Sequence, residues 1–225
     1  MINLTGVSKI FRTDIVETYA LREFNLSVRA GEFVAITGHS GSGKTTLLNV
    51  IGLLEEFDSG DYRLESENVK ALTDNQRSHI RNRRIGFVFQ GFNLIPNLNI
   101  FDNVEAPLHY RRMPAAERRK RVMQSLDKVG LASRMRHYPA QLSGGQQQRA
   151  AIARAIGGDP LVILADEPTG NLDTTMSSQI MDLLQSINDQ GATILLVTHN
   201  NELAQRAQRV VHMVDGQIAT DRALP

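Results

Sequence analysis

Residues 38 to 46, Gly-His-Ser-Gly-Ser-Gly-Lys-Thr-Thr, restrict this 225-residue chain more than any other stretch. They follow a short apolar run, Phe33-Val34-Ala35-Ile36, and precede a helical pattern with Leu47, Leu48, Val50, Ile51 and Leu54 as its apolar positions. From Gly38 to Thr45 the residues fit G-x-x-x-x-G-K-[ST] in the strand–loop–helix setting of a phosphate-cradling loop. Glycines let the backbone turn tightly around an anion, and the following helix offers unpaired N–H groups and a positive dipole end. Lys44 adds a mobile positive charge for β- and γ-phosphates, and the Thr45 hydroxyl can ligate Mg²⁺. A nucleoside triphosphate is therefore the expected ligand. Such loops serve motors, kinases, GTPases and transporters alike, so the rest of the chain must decide.

The chain is 41% hydrophobic and 22% charged, enough for one substantial α/β core. No apolar run approaches the ~18 residues needed to span a bilayer, and the N-terminus lacks a charged-then-apolar secretory pattern. A cytoplasmic or peripheral protein is expected. With no cysteine, disulfides and thiolate metal sites are excluded. A formal net charge of +1 gives no global electrostatic case for nucleic acid. Basic runs do occur at residues 77–84 and 111–121; a solvated helix face is the favoured reading of the second, and a surface near anionic lipid headgroups the sharper one.

Residues 2–7 read as a first strand, and Phe24, Leu26 and Val28 alternate with polar neighbours as in a half-buried strand, with 12–18 as a loop or hairpin tip between. An antiparallel sheet thus leads into a parallel one. Residues 74–83 form a basic helical stretch, and 85–89 a compact apolar strand ending at Gln90. From about 91 to 158 the pattern turns helical, with segments near 100–111 (Asn99 as its cap) and 115–129, and reads as an inserted subdomain. The α/β pattern resumes with the buried strand 161–165, a helix over about 176–190, a buried strand at 193–197, a short helix over about 201–207, and a hairpin around Asp215-Gly216.

Asp166 and Glu167 stand immediately after strand 161–165. The C-terminal ends of parallel strands face the ligand crevice, so one carboxylate can orient Mg²⁺ and the next can polarise an attacking water. Leu142-Ser143-Gly144-Gly145-Gln146 offers a hydroxyl, exposed backbone amides and a helix N-terminus (helix over about 146–156).

With these residues the chain resembles the ATPase subunits of ABC transporters along essentially its whole length. Gly38–Thr46 matches the Walker A loop, Gln90 the Q-loop, Leu142–Gln146 the signature, Leu161–Glu167 the Walker B strand, Asn171-Leu172-Asp173 the D-loop and His199 the switch histidine. Phe11 sits where the family has an adenine-stacking aromatic, with Tyr19 its rival. Gly86-Phe87-Val88-Phe89-Gln90 and Asp166 to Asp173 look specifically like the lipoprotein-release, macrolide-export and FtsE-like branch. His39 departs from the small residue or proline common there.

The resemblance implies an α/β P-loop NTPase of ABC type: a mixed sheet with a RecA-like core, an antiparallel β subdomain and a helical subdomain, in one domain over 1–225 (1–90 and 159–225 as core, 91–158 helical). It implies ATP held by Phe11, Gly38, His39, Ser40, Gly41, Ser42, Gly43, Lys44, Thr45, Thr46 and Gln90, and by Ser143, Gly144, Gly145 and Gln146 of a second copy in a head-to-tail homodimer. Glu167 would be the general base, His199 would fix the γ-phosphate and water, and Lys44 would complete the catalytic set; Thr45, Gln90 and Asp166 would serve Mg²⁺. A separate permease (FtsX- or MacB-type) would dock on the segment from Phe92 to about Arg112, at the cytoplasmic face of the inner membrane. The alternative is a soluble ABC ATPase acting on nucleic acid or ribosomes. It is disfavoured by a single nucleotide unit, no tryptophan and 5% aromatic residues, a poor base-stacking platform.

Overall fold

The computed structural model describes residues 1–13 and 15–224; Asp14, within the expected hairpin tip, lies outside the described residues. The chain divides into two compact units, Met1–His79 with Thr193–Pro225, and Ile80–Ala192.

In the first unit, β1 (Ile2–Arg12) pairs antiparallel with β2 (Glu17–Val28), placing Ile2 opposite Val28 and Leu4 opposite Leu26. The period-2 alternation buries Ile2, Leu4, Val7, Phe24, Leu26 and Val28 on one face. β1 runs five residues beyond the strand read from sequence. Register shifts after Leu4, Val7 and Lys9 disturb the alternation that would have marked it. β3 (Phe33–Thr37), buried throughout, enters the phosphate loop, and α1 (Lys44–Ile51) leaves it. Leu54, expected on the helix's apolar face, lies past its end and is exposed. β4 (Ser59–Leu64) and the two-residue β5 (Glu67–Asn68) complete the sheet β2-β1-β4-β5. Tyr62 of β4 is fully buried and donates its hydroxyl to Ile51 O at 2.8 Å; burial pushes its phenol pKa up. The basic helix α2 (Asp74–Arg84) follows.

The second unit pairs β6 (Ile85–Phe89) with β7 (Val162–Asp166) in parallel, Phe89 opposite Asp166. Between them run α3 (Ile100–His109), α4 (Ala115–Lys128) and α5 (Gly144–Ile156). As expected, Asn99 caps α3, accepting from Asp102 N at 2.9 Å. α5 crosses β6 closely. A Cβ on Gly86 would fall 2.6 Å from Ala155 O. Buried Asn103 ties the 95–99 turn down by donating to Ile95 O, Leu98 O and Asn99 O while accepting from Ile95 N. α6 (Thr174–Asp189), capped by Asp173, ends the unit.

The chain then returns to the first unit. β8 (Thr193–Val197) pairs parallel with β3; a one-turn α7 (Asn201–Ala204) is shorter than the helix expected to Ala207. β9 (Arg209–Val214) lies parallel on the other side of β3, and β10 (Gln217–Ala223) pairs antiparallel with it. Asp215 and Gly216, both at positive φ (49° and 78°), make the tight turn between them. The sheet is therefore mixed. Among the described residues no helix is long and apolar enough to cross a membrane.

Candidate functional site

The first unit holds the phosphate loop. Gly38 (φ 150°) and Gly43 (φ 98°) hold it where no side chain fits: a Cβ would fall 2.3 Å from Met213 O at the first and 2.2 Å from Ala20 O at the second. Gly216 N donates to Ser42 O at 3.1 Å, and Arg22 N donates to Gly216 O at 3.0 Å, so the β9–β10 turn and β2 brace the loop from behind. Lys44 opens α1, buried, and its ammonium donates to Gly38 O (2.9 Å) and His39 O (2.7 Å). An ammonium has three donors, so one remains for an anion. His39, Ser40, Gly41 and Thr45 are exposed, Thr46 is half-buried, and Ser42 is buried with its hydroxyl unpartnered. His39 has Nδ1 2.7 Å from Ser40 O and Nε2 3.8 Å from Asp215 Oδ1. This is a backbone cradle with an open mouth and a positive charge at its centre.

His199 lies two residues past β8 and is exposed; Thr198 N donates to Ile36 O at 3.1 Å and Asn200 caps α7, fixing the backbone on both sides of it. Phe11 and Tyr19 sit on adjacent pairs of the β1–β2 ladder and are equally exposed at 43%. A lysine covers the first (Lys9 Nζ at 5.0 Å) and an arginine the second (Arg22 at 5.0 Å), so exposure does not choose between them.

The second unit holds the carboxylates. Asp166 ends β7 and Glu167 follows at φ 44°, a left-handed conformation uncommon outside glycine; both are half-buried. Gly170 N donates to Glu167 O at 3.0 Å and closes the turn. Gln90, just beyond β6, is locked to this turn reciprocally: its Nε2 donates to Asn171 Oδ1 at 3.1 Å, and Asn171 Nδ2 donates to Gln90 O at 3.0 Å. That pairing leaves Gln90 Oε1 as an available acceptor type. A Cβ on Gly170 would fall 2.7 Å from Gln90 Nε2, so glycine here leaves room for the Gln90–Asn171 pairing.

Ser143 is the N-cap of α5. Its hydroxyl accepts from Gln146 N at 3.3 Å while Gln146 Oε1 accepts from Ser143 N at 3.1 Å. The helix thus begins two residues before the sequence reading placed it. Gly144 and Gly145, expected ahead of the helix, are both helical, and a Cβ on Gly145 would fall 2.8 Å from Met176 Sδ, so that side chain would have to shift. Two links lie outside the sequence reading: Asn171, read only as part of the D-loop, bonds Gln90, and buried Gln148 bonds Phe89 O, each pair distant in sequence. No local pattern marks them.

A strand-fed cradle with its lysine, two carboxylates at a parallel strand's C-terminal end and a serine-capped helix define a nucleotide-hydrolysing cassette. The family model described as ABC transporter matches residues 21–170, and the chain belongs to that family. It is 46% identical over 218 residues to an uncharacterised ABC transporter ATP-binding protein of Thermotoga maritima, covering 97% of this chain and 93% of that one. It is also 46% identical over 221 residues to the macrolide export ATP-binding/permease protein MacB of Brucella melitensis, spanning 34% of that longer protein. Among solved structures, the ATP-binding cassette MJ0796, a dimer in a post-hydrolysis state bound to ADP and Pi, aligns with a TM-score of 0.91 at 42% identity, covering 100% of this chain and 99% of that one. The chain is an ABC-type ATPase, the ATP-binding subunit of a transporter.

Proposed function

We propose that this chain powers a separate membrane permease through ATP-dependent, head-to-tail dimerisation, at the cytoplasmic face of the inner membrane and in an export or lipoprotein-release system. The observation that carries the reading is the N-terminus of α5: Ser143 is exposed and Gly144 half-buried there, and the capping box takes up the Gln146 amide while the Ser143 hydroxyl keeps its proton to donate, as a phosphate cap requires. In this reading the cap serves ATP held on a second copy. Relatives bearing export names, MacB and the pyoverdine export protein PvdT, support the transport class; in each the cassette is about a third of a longer ATP-binding/permease protein.

Lys44 binds the β- and γ-phosphates with the donor its two carbonyl bonds leave over, and the loop amides orient them. Mg²⁺ fits the donor set, which is all oxygen: the Thr45 hydroxyl, the Asp166 carboxylate and Gln90 Oε1. When bound it supplies charge neutralisation on the phosphates. Glu167 accepts the proton of the attacking water, and His199 orients that water and the γ-phosphate. Loss of the γ-phosphate removes the contact that favours the closed dimer, which then opens. His39, Ser40, Gly41, Ser42, Gly43 and Thr46 complete the cradle. An aromatic of the β1–β2 hairpin, Phe11 or its rival Tyr19, stacks on adenine, and the segment from Phe92 to about Arg112 docks the permease.

The test is Glu167→Gln with ATP and Mg²⁺. Hydrolysis should fall by about 10³-fold while nucleotide binding persists, and light scattering should give twice the monomer mass. A variant that stays monomeric at saturating ATP would sink the head-to-tail dimer.

A further inference from the structure

Gln148 is fully buried on α5, and its amide reaches two loops at once. Nε2 donates to Phe89 O at 3.3 Å and to Pro168 O. Phe89 directly precedes Gln90, and Pro168 directly follows Glu167. Two carbonyl oxygens face the same end of the amide, so only its NH₂ end can stand there. The other end, Oε1, is buried with no hydrogen-bond partner. Buried polar atoms rarely lack one, and the neighbouring buried positions of α5 are Ala150, Ala151 and Ile152. A half-satisfied amide in that setting is explained by the bonds its NH₂ makes.

Those bonds bear on a turn that needs support. Glu167 is at φ 44°, and a non-glycine residue persists there only where its surroundings hold it. The 90–93 loop has other ties: Asn171 to Gln90, and Arg154 to Phe92 O and Asn93 O. Loss of the Gln148 bonds would therefore displace the two loops rather than release them.

We propose that Gln148 is a positioning residue for hydrolysis, setting Gln90 and Glu167 together against the helix that Ser143 caps. The proposal rests on the assignment of Gln90 and Glu167 to the hydrolytic site. It makes α5 the part through which the state of the signature end is felt by the water-activating carboxylate.

The experiment is Gln148→Met in the full chain, which keeps length and bulk and removes the donor. Hydrolysis is expressed per nucleotide-binding site, with binding measured by calorimetry. We expect kcat per site to fall about tenfold or more with the ATP Kd within about twofold, because the Lys44 loop is untouched. Gln148→Asn, which keeps the donor but is one methylene short, should lose less. Gln148→Met combined with Gln90→Ala should be no slower than the slower single variant, since both act on one arrangement. A purely structural role predicts fewer binding sites per chain with native kcat per site, and that result overturns the proposal, as does failure of both variants to fold. Glu167→Gln separates the two layers. If it hydrolyses ATP normally, the underlying assignment falls; if it is inactive while Gln148→Met runs at the native rate, only the role of Gln148 falls.

Discussion

Lys44 rests its charge on two carbonyl oxygens of its own loop, so the phosphate site is already shaped around a cation. Charge-assisted hydrogen bonds contribute about 1.5–3 kcal/mol each. Lys44→Ala should therefore weaken ATP binding by about ten- to a hundredfold, read by calorimetry; unchanged affinity would contradict the role. The neighbouring glycine makes a second point. Gly43 combines φ 98° with a Cβ position 2.2 Å from Ala20 O, a backbone atom that cannot swing away, whereas Gly41 (φ 81°) has open space. Gly43→Ala should cost about 3 kcal/mol or more and Gly41→Ala about 1 kcal/mol, by urea unfolding. Equal costs would mean that φ alone matters. The spacing G-x-x-x-x-G-K-T foretells the cradle. It is silent on Ala20, because the clash comes from a strand 23 residues upstream in the sequence.

Elements were legible where a local signal coincided with the boundary. Asn99 marks α3, and Asp215-Gly216 marks the β9–β10 turn. They are less legible where the boundary is set otherwise: the Ser143–Gln146 capping box starts α5 at Gly144, inside a glycine pair that reads as loop, and β1 continues past Val7 because bulges carry it along its partners. Ion pairing in the closing hairpin belongs to this scale too. Arg209 of β9 binds Asp221 of β10 at 2.6 Å and Glu32 at 3.0 Å. Its hydrogen bond to Asp221 outweighs burial and holds that carboxyl below the usual range. The folded chain therefore takes up this proton less readily than the unfolded one. The stabilisation is fully present above the unfolded value of about 3.9 and is lost as pH falls through the depressed folded value. Asp221→Asn should flatten the acid limb of a stability–pH curve below about pH 4, with little change in its shape near neutrality. An unaltered acid limb would show the pair to be without consequence.

At the scale of the molecule, the proposed dimer makes opposite demands on the phosphate loop and the α5 N-terminus, one to offer a cradle and the other a lid. If each lid closes the partner's cradle, two different defects can complement one another. Lys44→Ala spoils the cradle of the copy that carries it, and Ser143→Arg spoils the lid of its own copy, with a capping loss of about 1 kcal/mol besides. Either variant alone has two damaged sites per dimer. In a mixed head-to-tail dimer both defects fall in one site, and the other is formed by an intact Lys44 and an intact Ser143. With random pairing of equal amounts, half the dimers are mixed, so about a quarter of all sites should be whole. Mixing should therefore restore ATP-dependent association that neither variant gives alone, read as the dimer fraction by light scattering. Were each chain to cap its own nucleotide, every site in the mixture would remain defective, and the mixture would equal the mean of its parts.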